Sequence, residues 1–201
     1  MPDLTMERAL GGLVAGIDEA GRGPLAGPVV AAAVILDLDC LSDALLHGLD
    51  DSKRLSRPTR ESLFEMLATC SRVGVGHADV VEIDHVNILQ ATLLAMARAV
   101  AALGVEPDAV LVDGNRAPAL SCVAHCVVGG DGRCLSVAAA SVVAKVTRDR
   151  WMEEIARLYP GYGWERNAGY GTAEHRMAIA RLGVTPHHRR SFAPVYSMLC
   201  E

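Results

Sequence analysis

Apolar residues in this chain occur in short runs and in longer segments, and the two alternate. Five runs rich in Val, Ile, Leu and Ala end at Gly, Pro or polar residues, which is typical of strands. The predicted strands lie at about 14–17, 29–36, 73–81, 109–112 and 122–128. Helical spacing and cap residues predict helices at about 57–69, 85–103, 135–158 and 173–182. This order predicts an α/β protein.

Local signals place several of the helix boundaries. Ser56 is suited to cap the start of a helix, and Pro58 suits its first turn. Asp84 and Thr172 are predicted to cap two later helices in the same way. Gly104 is predicted to mark the end of the helix that follows Asp84.

The order of the strands also predicts how they pair. The first three are consecutive, so an antiparallel meander is the simplest arrangement. The strand at 109–112 follows a long helix, as expected for a buried parallel strand after a crossover. Asp18 and Glu19 follow the first apolar run, and Asp113 follows the run at 109–112. Ligands bind at such strand ends in open α/β sheets, so the sequence predicts a site there.

Three kinds of site use a glycine-rich loop like the one that ends at Pro28. A P-loop needs Lys and then Ser or Thr where this chain has Arg22 and Gly23, so this alternative fails. A dinucleotide-binding turn would have to open a helix, and Pro28 inside that helix would cost about 3 kcal/mol or more. In the third alternative, Asp18 and Glu19 hold Mg²⁺ or Mn²⁺ beside the loop. An exposed turn with solvated charges is the simpler interpretation of the same residues.

Length and composition limit the class of protein. The chain has 201 residues, 51% of them apolar, which suits one domain or one domain with a small appendage. No apolar run approaches the ~20 residues that span a bilayer. The first residues lack the basic and apolar regions of a signal peptide. We therefore expect a soluble cytoplasmic protein that does not act at a membrane.

The cysteines show no metal-binding or disulfide pattern. No two of them form a C-x-x-C pair, so zinc and disulfides are not expected. Cys122 and Cys126 lie four residues apart on a presumed strand and are predicted to be buried thiols. The six cysteines are Cys40, Cys70, Cys122, Cys126, Cys134 and Cys200.

The distribution of charge is more informative than the net charge of −5. Residues 1–140 hold 10 basic and 18 acidic residues, whereas residues 141–201 hold 9 and 6. An acidic body with a basic last third would suit a ligand with a phosphate backbone, although surface variation gives the same asymmetry. Lys53 could contact a phosphate or be solvated, and Tyr170 could stack on a base or sugar or anchor its loop. The basic segment 186–195 could likewise bind phosphates or be solvated.

In their order along nearly the whole chain, these pieces resemble ribonuclease HII. The Gly21-Arg22-Gly23 triplet favours this type over its sister, ribonuclease HIII. The matching motifs are Gly16–Pro28, Asp51–Leu55, Val112–Asn115, Gly130-Asp131, Ala138–Asp149, Gly169–Thr172 and His188–Val195.

The resemblance implies a fold, an activity and a set of site residues. The implied fold is RNase H-like: a five-stranded mixed sheet flanked by helices, with a catalytic domain at 1–170 and a short helical region at 171–201. The implied enzyme is a monomeric endonuclease that acts in ribonucleotide repair. It would cut RNA in RNA–DNA hybrids and nick DNA 5′ of single ribonucleotides. Two Mg²⁺ or Mn²⁺ ions would be held by Asp18, Glu19, Asp113 and Asp131, and the substrate by Gly21, Arg22, Gly23, Lys53 and Tyr170.

Two features need an explanation from the structure. Neighbouring strand residues point to opposite faces, so Asp18 and Glu19 can share a site only if the strand ends or bulges there. The family usually has a Lys where this chain has Gly129. The competing hypotheses are another RNase H-like nuclease, of the resolvase or transposase type, and a non-catalytic nucleotide-binding module.

Overall fold

A five-stranded mixed sheet forms the centre of the computed structural model, which describes residues 1–199. The strand order is β3-β2-β1-β4-β5; the β1–β2 and β2–β3 pairs are antiparallel, and the β1–β4 and β4–β5 pairs are parallel. The predicted meander, parallel crossover strand and fold class are confirmed. The strands are β1 (Val14–Ala20), β2 (Val29–Leu36), β3 (Ser71–Ala78), β4 (Ala109–Asp113) and β5 (Val123–Val127).

Helices flank the sheet on both faces. The long helix α5 begins and ends where the sequence predicts, and the Ser56 and Thr172 side chains cap α3 and α7. The helices are α1 (Thr5–Leu10), α2 (Asp43–Gly48), α3 (Arg57–Cys70), α4 (Val80–Ala101), α5 (Leu135–Leu158), α6 (Trp164–Asn167), α7 (Ala173–Leu182) and α8 (Ala193–Leu199).

The two faces of the sheet have separate cores. On one face, Ala32 and Val34 of β2 pack against the small residues at 138–140 of α5. On the other face, β1, β2 and β4 pack against α4. Helix α5 approaches β1 so closely that a Cβ atom on Gly16 would lie 2.1 Å from the backbone carbon of Ser136. The small residues of α5 therefore bring its first turns directly against the strand that carries Asp18.

The start of α4 differs from the prediction. The helix begins at Val80, because Asp79 and Glu82 form a capping box there. Asn87 interrupts the helix with a φ of 69°, and its side chain accepts hydrogen bonds from the next turn. Asp84 does not cap the helix: its carboxylate accepts hydrogen bonds from the backbone of Arg190 and Ser191. That contact lies 106 residues away in sequence, so no local pattern could have indicated it.

Helix α4 is also the one helix among residues 1–199 that is long and apolar enough, by composition, to cross a membrane. Five of its buried residues pack against the sheet, as in the core helix of a globular domain: Ile83, Ala91, Ala95, Met96 and Ala99.

The prediction that Cys122 and Cys126 are buried is wrong. Cys126 is exposed and Cys122 is partly exposed. Strand β5 is an edge strand whose residues are mostly accessible, so alternation along it does not bury one side. Cys70 and Cys134 are the buried thiols, and Cys200 lies outside the described residues.

The C-terminal helices pack against the far end of α5. Their core contains Trp164 and Ile179 together with Leu25 from the loop after β1 and Met152 from α5. This cluster includes residues on both sides of position 170, where the sequence suggests a boundary, and that boundary stays a prediction. The C-terminal region therefore holds the glycine-rich loop against the rest of the fold.

Candidate active site

Three strand ends bring the predicted carboxylates to one edge of the sheet. Asp18 lies near the end of β1 and Asp113 is the last residue of β4. Pairing of Ile17 with Val112 puts these two aspartates level on neighbouring parallel strands. Asp131 lies in a short 3₁₀ turn between β5 and α5. This edge of the sheet thus carries several acidic groups, and Asp131 lies shortly before the start of α5.

The faces that these side chains occupy follow from the pairing of β1 with β2. Asp18 is opposite Ala32, which packs on the α5 side, whereas Glu19 is opposite Ala31, which packs on the α4 side. Strand β1 continues regularly to Ala20, so it neither ends nor bulges between the two carboxylates. Asp18 and Glu19 therefore lie on opposite faces of β1, and the strand itself does not bring them together.

Burial and mutual repulsion characterise this acidic edge. The pKa of Asp18, which is 5% exposed, is raised well above its usual value by burial and then by the charges of Glu19 and Asp113. Burial and Asp113 also raise the pKa of Asp131. Burial alone would lower the pKa of Lys53, but nearby carboxylates, first Asp51 and then Asp18, raise it. These groups interact electrostatically, which indicates a site that favours cations.

The carboxylates do not converge on one point as they lie in this structure. Within residues 1–199, no three Asp, Glu, His or Cys side chains form a cluster that could hold an ion. Asp18 accepts a 2.7 Å hydrogen bond from the Glu19 N–H, Asp113 one of 2.7 Å from the Gly130 N–H, and Glu19 lies 3.3 Å from Arg22 Nη1. The oxygen donors suit Mg²⁺ or Mn²⁺, but the side chains would have to turn to share an ion.

A groove of about 350 Å³ lies beside the buried Asp18 and is lined by all five predicted substrate residues. The predicted residues Asp18, Glu19, Gly21, Arg22, Gly23, Lys53 and Tyr170 line it, together with Ala20, Ser52, Lys145 and Arg148. Asp113 and Asp131 are not part of its lining. The structure thus brings the glycine triplet, the lysine and the tyrosine together beside Asp18 and Glu19.

Comparison with known proteins identifies the family. The family model described as Ribonuclease HII matches residues 15–195. The curated ribonuclease HII of Paramagnetospirillum magneticum is 65% identical over 195 residues, which cover 97% of each chain. The chain belongs to the ribonuclease HII family. It is therefore a ribonuclease H, an endonuclease that acts on nucleic acid. The hypotheses of a resolvase-type nuclease and of a non-catalytic module are set aside.

Solved structures agree with this assignment. The ribonuclease H2 of Pyrococcus horikoshii is 27% identical, with a TM-score of 0.75 over 92% of this chain and 96% of that one. The structure titled Bst-RNase HIII in complex with Mn²⁺ is 21% identical, with a TM-score of 0.78 over 100% of this chain and 73% of that one, and it supports the fold alone.

In this member of the ribonuclease HII family, Lys53 and Tyr170 stand on the rim of the groove. The Lys53 side chain is 79% exposed, and the preceding Ser52 is anchored by a hydrogen bond that its hydroxyl shares with Ser141 of α5. The Tyr170 ring lies beside Gly23, where a Cβ atom would come within 3.7 Å of it. Tyr170 is 45% exposed, so its ring is accessible to a ligand in the groove.

Sequence reasoning missed two buried arginines of this ribonuclease HII. Arg148 and Arg189 are 1% and 0% exposed, and both donate hydrogen bonds to carbonyl groups of the loop after β1. Part of the segment 186–195 is therefore neither solvated nor free to bind phosphate. The available signal was weak, because a His-His-Arg-Arg run does not distinguish a buried arginine from an exposed one.

Proposed function

We propose that this ribonuclease HII cuts the RNA strand of RNA–DNA hybrids and also nicks duplex DNA on the 5′ side of a single embedded ribonucleotide. The products would carry 5′-phosphate and 3′-hydroxyl ends. The observation that carries the proposal is the groove that joins the buried Asp18 to the Gly21–Gly23 loop and Tyr170. Chemistry at the carboxylates and recognition of the ribose could then take place on one substrate.

In this proposal Asp18, Glu19, Asp113 and Asp131 hold two divalent ions. When bound, the ions would lower the pKa of an attacking water and stabilise charge on the leaving oxygen. The carboxylates supply oxygen ligands. Burial and then mutual repulsion raise the pKa of Asp18, and a bound cation would relieve that repulsion. Bst-RNase HIII, a structural neighbour, was solved with Mn²⁺. In this proposal the nucleophile is water and not a protein side chain, and the role of the carboxylates is to hold the ions.

The loop is suited to detect a 2′-hydroxyl, the group that distinguishes RNA from DNA. No hydrogen bond within residues 1–199 uses the N–H groups of Arg22 or Gly23, so both are free to meet the substrate. The Tyr170 ring, beside Gly23, would stack on the neighbouring sugar. Lys53 and the exposed Arg22 side chain would contact phosphates. We further propose that the enzyme acts as a cytoplasmic monomer.

The test is cleavage of an end-labelled DNA duplex that carries one ribonucleotide. We expect a nick on its 5′ side with Mg²⁺ or Mn²⁺, no nick with chelator, and no cleavage of the all-DNA duplex. A long RNA–DNA hybrid is the second substrate. Cleavage of the hybrid alone would remove the single-ribonucleotide part of the proposal, and cleavage of the all-DNA duplex would contradict recognition of the 2′-hydroxyl.

A further inference from the structure

Two buried arginines hold the loop after β1 by its carbonyl groups. Arg189 donates from Nε to Gly27 O at 2.9 Å, from Nη1 to Arg22 O at 2.9 Å and from Nη2 to Gly21 O at 2.5 Å. The backbone N–H of Arg189 also donates to Leu25 O at 2.8 Å. A single residue of the C-terminal segment thus binds four carbonyl groups of the loop.

Arg148 of α5 holds the same loop from the other side. It donates to Pro28 O at 3.0 Å and Ala26 O at 3.1 Å, and to Ala168 O, two residues before Tyr170, at 2.9 Å. A Cβ atom on Gly21 would lie 2.0 Å from Arg148 Nε, so the guanidinium fills the space behind the loop. With the carbonyl groups of Gly21 and Arg22 turned towards Arg189, the N–H groups of Arg22 and Gly23 remain available to the groove.

A buried pair of histidines, His175 and His188, holds the backbone of Tyr170 in place. His175 Nδ1 lies 2.9 Å from Tyr170 O, and Trp164 Nε1 donates to His175 Nε2 at 2.9 Å. A carbonyl only accepts and an indole N–H only donates, so His175 carries its proton on Nδ1. His188 Nε2, 3.1 Å from His175 Nε2, must then be the donor, and its Nδ1 accepts from Thr185 N. These contacts fix both tautomers.

Two consecutive residues, His188 and Arg189, take part in the contacts to both Tyr170 and the loop. His188 is connected through His175 to Tyr170, and Arg189 is bonded directly to Gly21 and Arg22. Both residues are at most 1% exposed, so neither can contact substrate. Burial lowers the pKa of Arg189 to about 9, with a further contribution from Arg148, as expected for a cation whose hydrogen-bond acceptors are uncharged carbonyl groups.

We propose that His188 and Arg189 are positioning residues that together set the spacing between the Gly21–Gly23 loop and Tyr170. The proposal rests on the proposed function, in which these two elements contact the ribose and its neighbour. Its physical basis is that a buried guanidinium makes several directed bonds at once, whereas a lysine at the same position would make fewer. Loss of these bonds would leave the loop folded but misplaced relative to the tyrosine.

The decisive experiment is a pair of double-mutant cycles on the single-ribonucleotide duplex. We expect Arg189→Lys and His188→Gln each to lower kcat/KM roughly 10- to 100-fold, the cost of a misplacement near 1 Å. Because Arg189 acts through the loop, Arg189→Lys should have little further effect, within about threefold, in a Gly23→Ala background. His188→Gln should likewise have little further effect in a Tyr170→Ala background. Effects that multiply in both cycles would overturn the proposal.

A matched control separates positioning from loss of stability. Ile179→Ala removes a buried side chain from the core that also contains Leu25, but it removes no hydrogen bond to the loop or to Tyr170. At equal fraction folded, measured by circular dichroism, it should retain the wild-type kcat/KM. If Arg189→Lys does not fold at the assay temperature, Arg148→Lys takes its place in the cycle with Gly23→Ala, since it loses bonds to the same loop.

The outcomes also distinguish this proposal from the proposed function. If the wild-type protein does not nick the single-ribonucleotide duplex, the proposed function fails. If it does, but Gly23→Ala and Tyr170→Ala both cut at wild-type rates, the proposed cleavage stands, whereas recognition by these elements and the positioning role are wrong. If they lose activity while Arg189→Lys and His188→Gln do not, the proposed function stands and the positioning role is wrong.

Discussion

Asp18 and Asp113 lie level on neighbouring parallel strands, on the face of the sheet that α5 covers. The pairing of β1 with β4 places these carboxylates, which are far apart in sequence, side by side. Because one is buried and the charge of the other raises its pKa, the fold keeps them together at an energetic cost. Such an arrangement is expected where a cation binds.

The first prediction concerns the energetic cost of keeping the buried Asp18 carboxylate beside Asp113. Asp18→Asn keeps the shape of the side chain and its acceptor for the Glu19 N–H but removes the buried charge. In the absence of divalent ions at pH 7 we expect a higher Tm than wild type, by about 2–4 °C for each kcal/mol gained. Cleavage should be lost. Differential scanning calorimetry in chelator checks the stability, and a lower Tm for the variant would mean that Asp18 is not under electrostatic strain.

The second prediction compares two glycines of the Gly21–Gly23 loop. Gly21 has a φ of +95°, and a Cβ atom there would collide with Arg148, so Gly21→Ala should destabilise the fold. Gly23 has no such φ, and a Cβ atom there would make only ordinary contact with Tyr170. Gly23→Ala should therefore keep the wild-type Tm but lower kcat/KM, because the added methyl group stands between the loop and the tyrosine. Equal losses of Tm in the two variants would contradict this.

The third prediction is a pH dependence of stability. Burial, with a smaller contribution from His175, lowers the pKa of His188 from 6.5 to about 4. Between pH 6.5 and 4 the unfolded chain takes up a proton on His188 that the folded protein does not. The contribution of neutral His188 to the unfolding free energy is therefore complete above pH 6.5 and is lost as the pH falls towards 4. The full effect is on the order of 3 kcal/mol. Wild type should therefore lose more unfolding free energy than His188→Gln between pH 6.5 and 4, measured by urea denaturation. Parallel curves for the two proteins would show that His188 does not titrate in this range.

The fourth prediction addresses Gly129, where the family usually carries a lysine. Gly129 has a φ of +67°, and no atom lies within 4 Å of the place that a Cβ would take, so a side chain fits at a backbone cost of roughly 1 kcal/mol. Gly129→Lys, made in the inactive Asp18→Asn protein, should bind a hybrid duplex more tightly. The dependence of log K on log salt should steepen by up to about 0.9.

The control for this substitution is Gly129→Gln, which has the same backbone cost without the charge. The two variants should show equal losses of Tm, and only the lysine variant should gain affinity. An unchanged salt dependence in Gly129→Lys would mean that position 129 does not face the nucleic acid.

Features that depend on local sequence were predictable. Ser56 caps α3 and Thr172 caps α7 as expected, because a cap needs only the residues of the next turn. Asp18, Glu19 and Asp113 could be named because each follows an apolar run. Asp131 was predicted as a metal ligand only through the resemblance to the family. Their use as metal ligands stays a prediction that the structure does not test.

Features that depend on distant partners were not predictable. Asp84 looks like a helix cap, but its partners, Arg190 and Ser191, come from the C-terminal segment. Arg189 looks solvated beside other charged residues, yet its acceptors lie more than 160 residues earlier in the chain. In both cases the carboxylate or guanidinium binds backbone groups, which carry no sequence signal of their own.

The most direct test of the central claim is Mn²⁺ binding to the metal-ligand variants, measured by isothermal titration calorimetry. We expect much weaker binding in Asp18→Asn and Asp113→Asn than in wild type. Asp43→Asn, which removes an exposed carboxylate in the first turn of α2, should bind like wild type. Wild-type affinity in both site variants would contradict the claim that these carboxylates form the metal site.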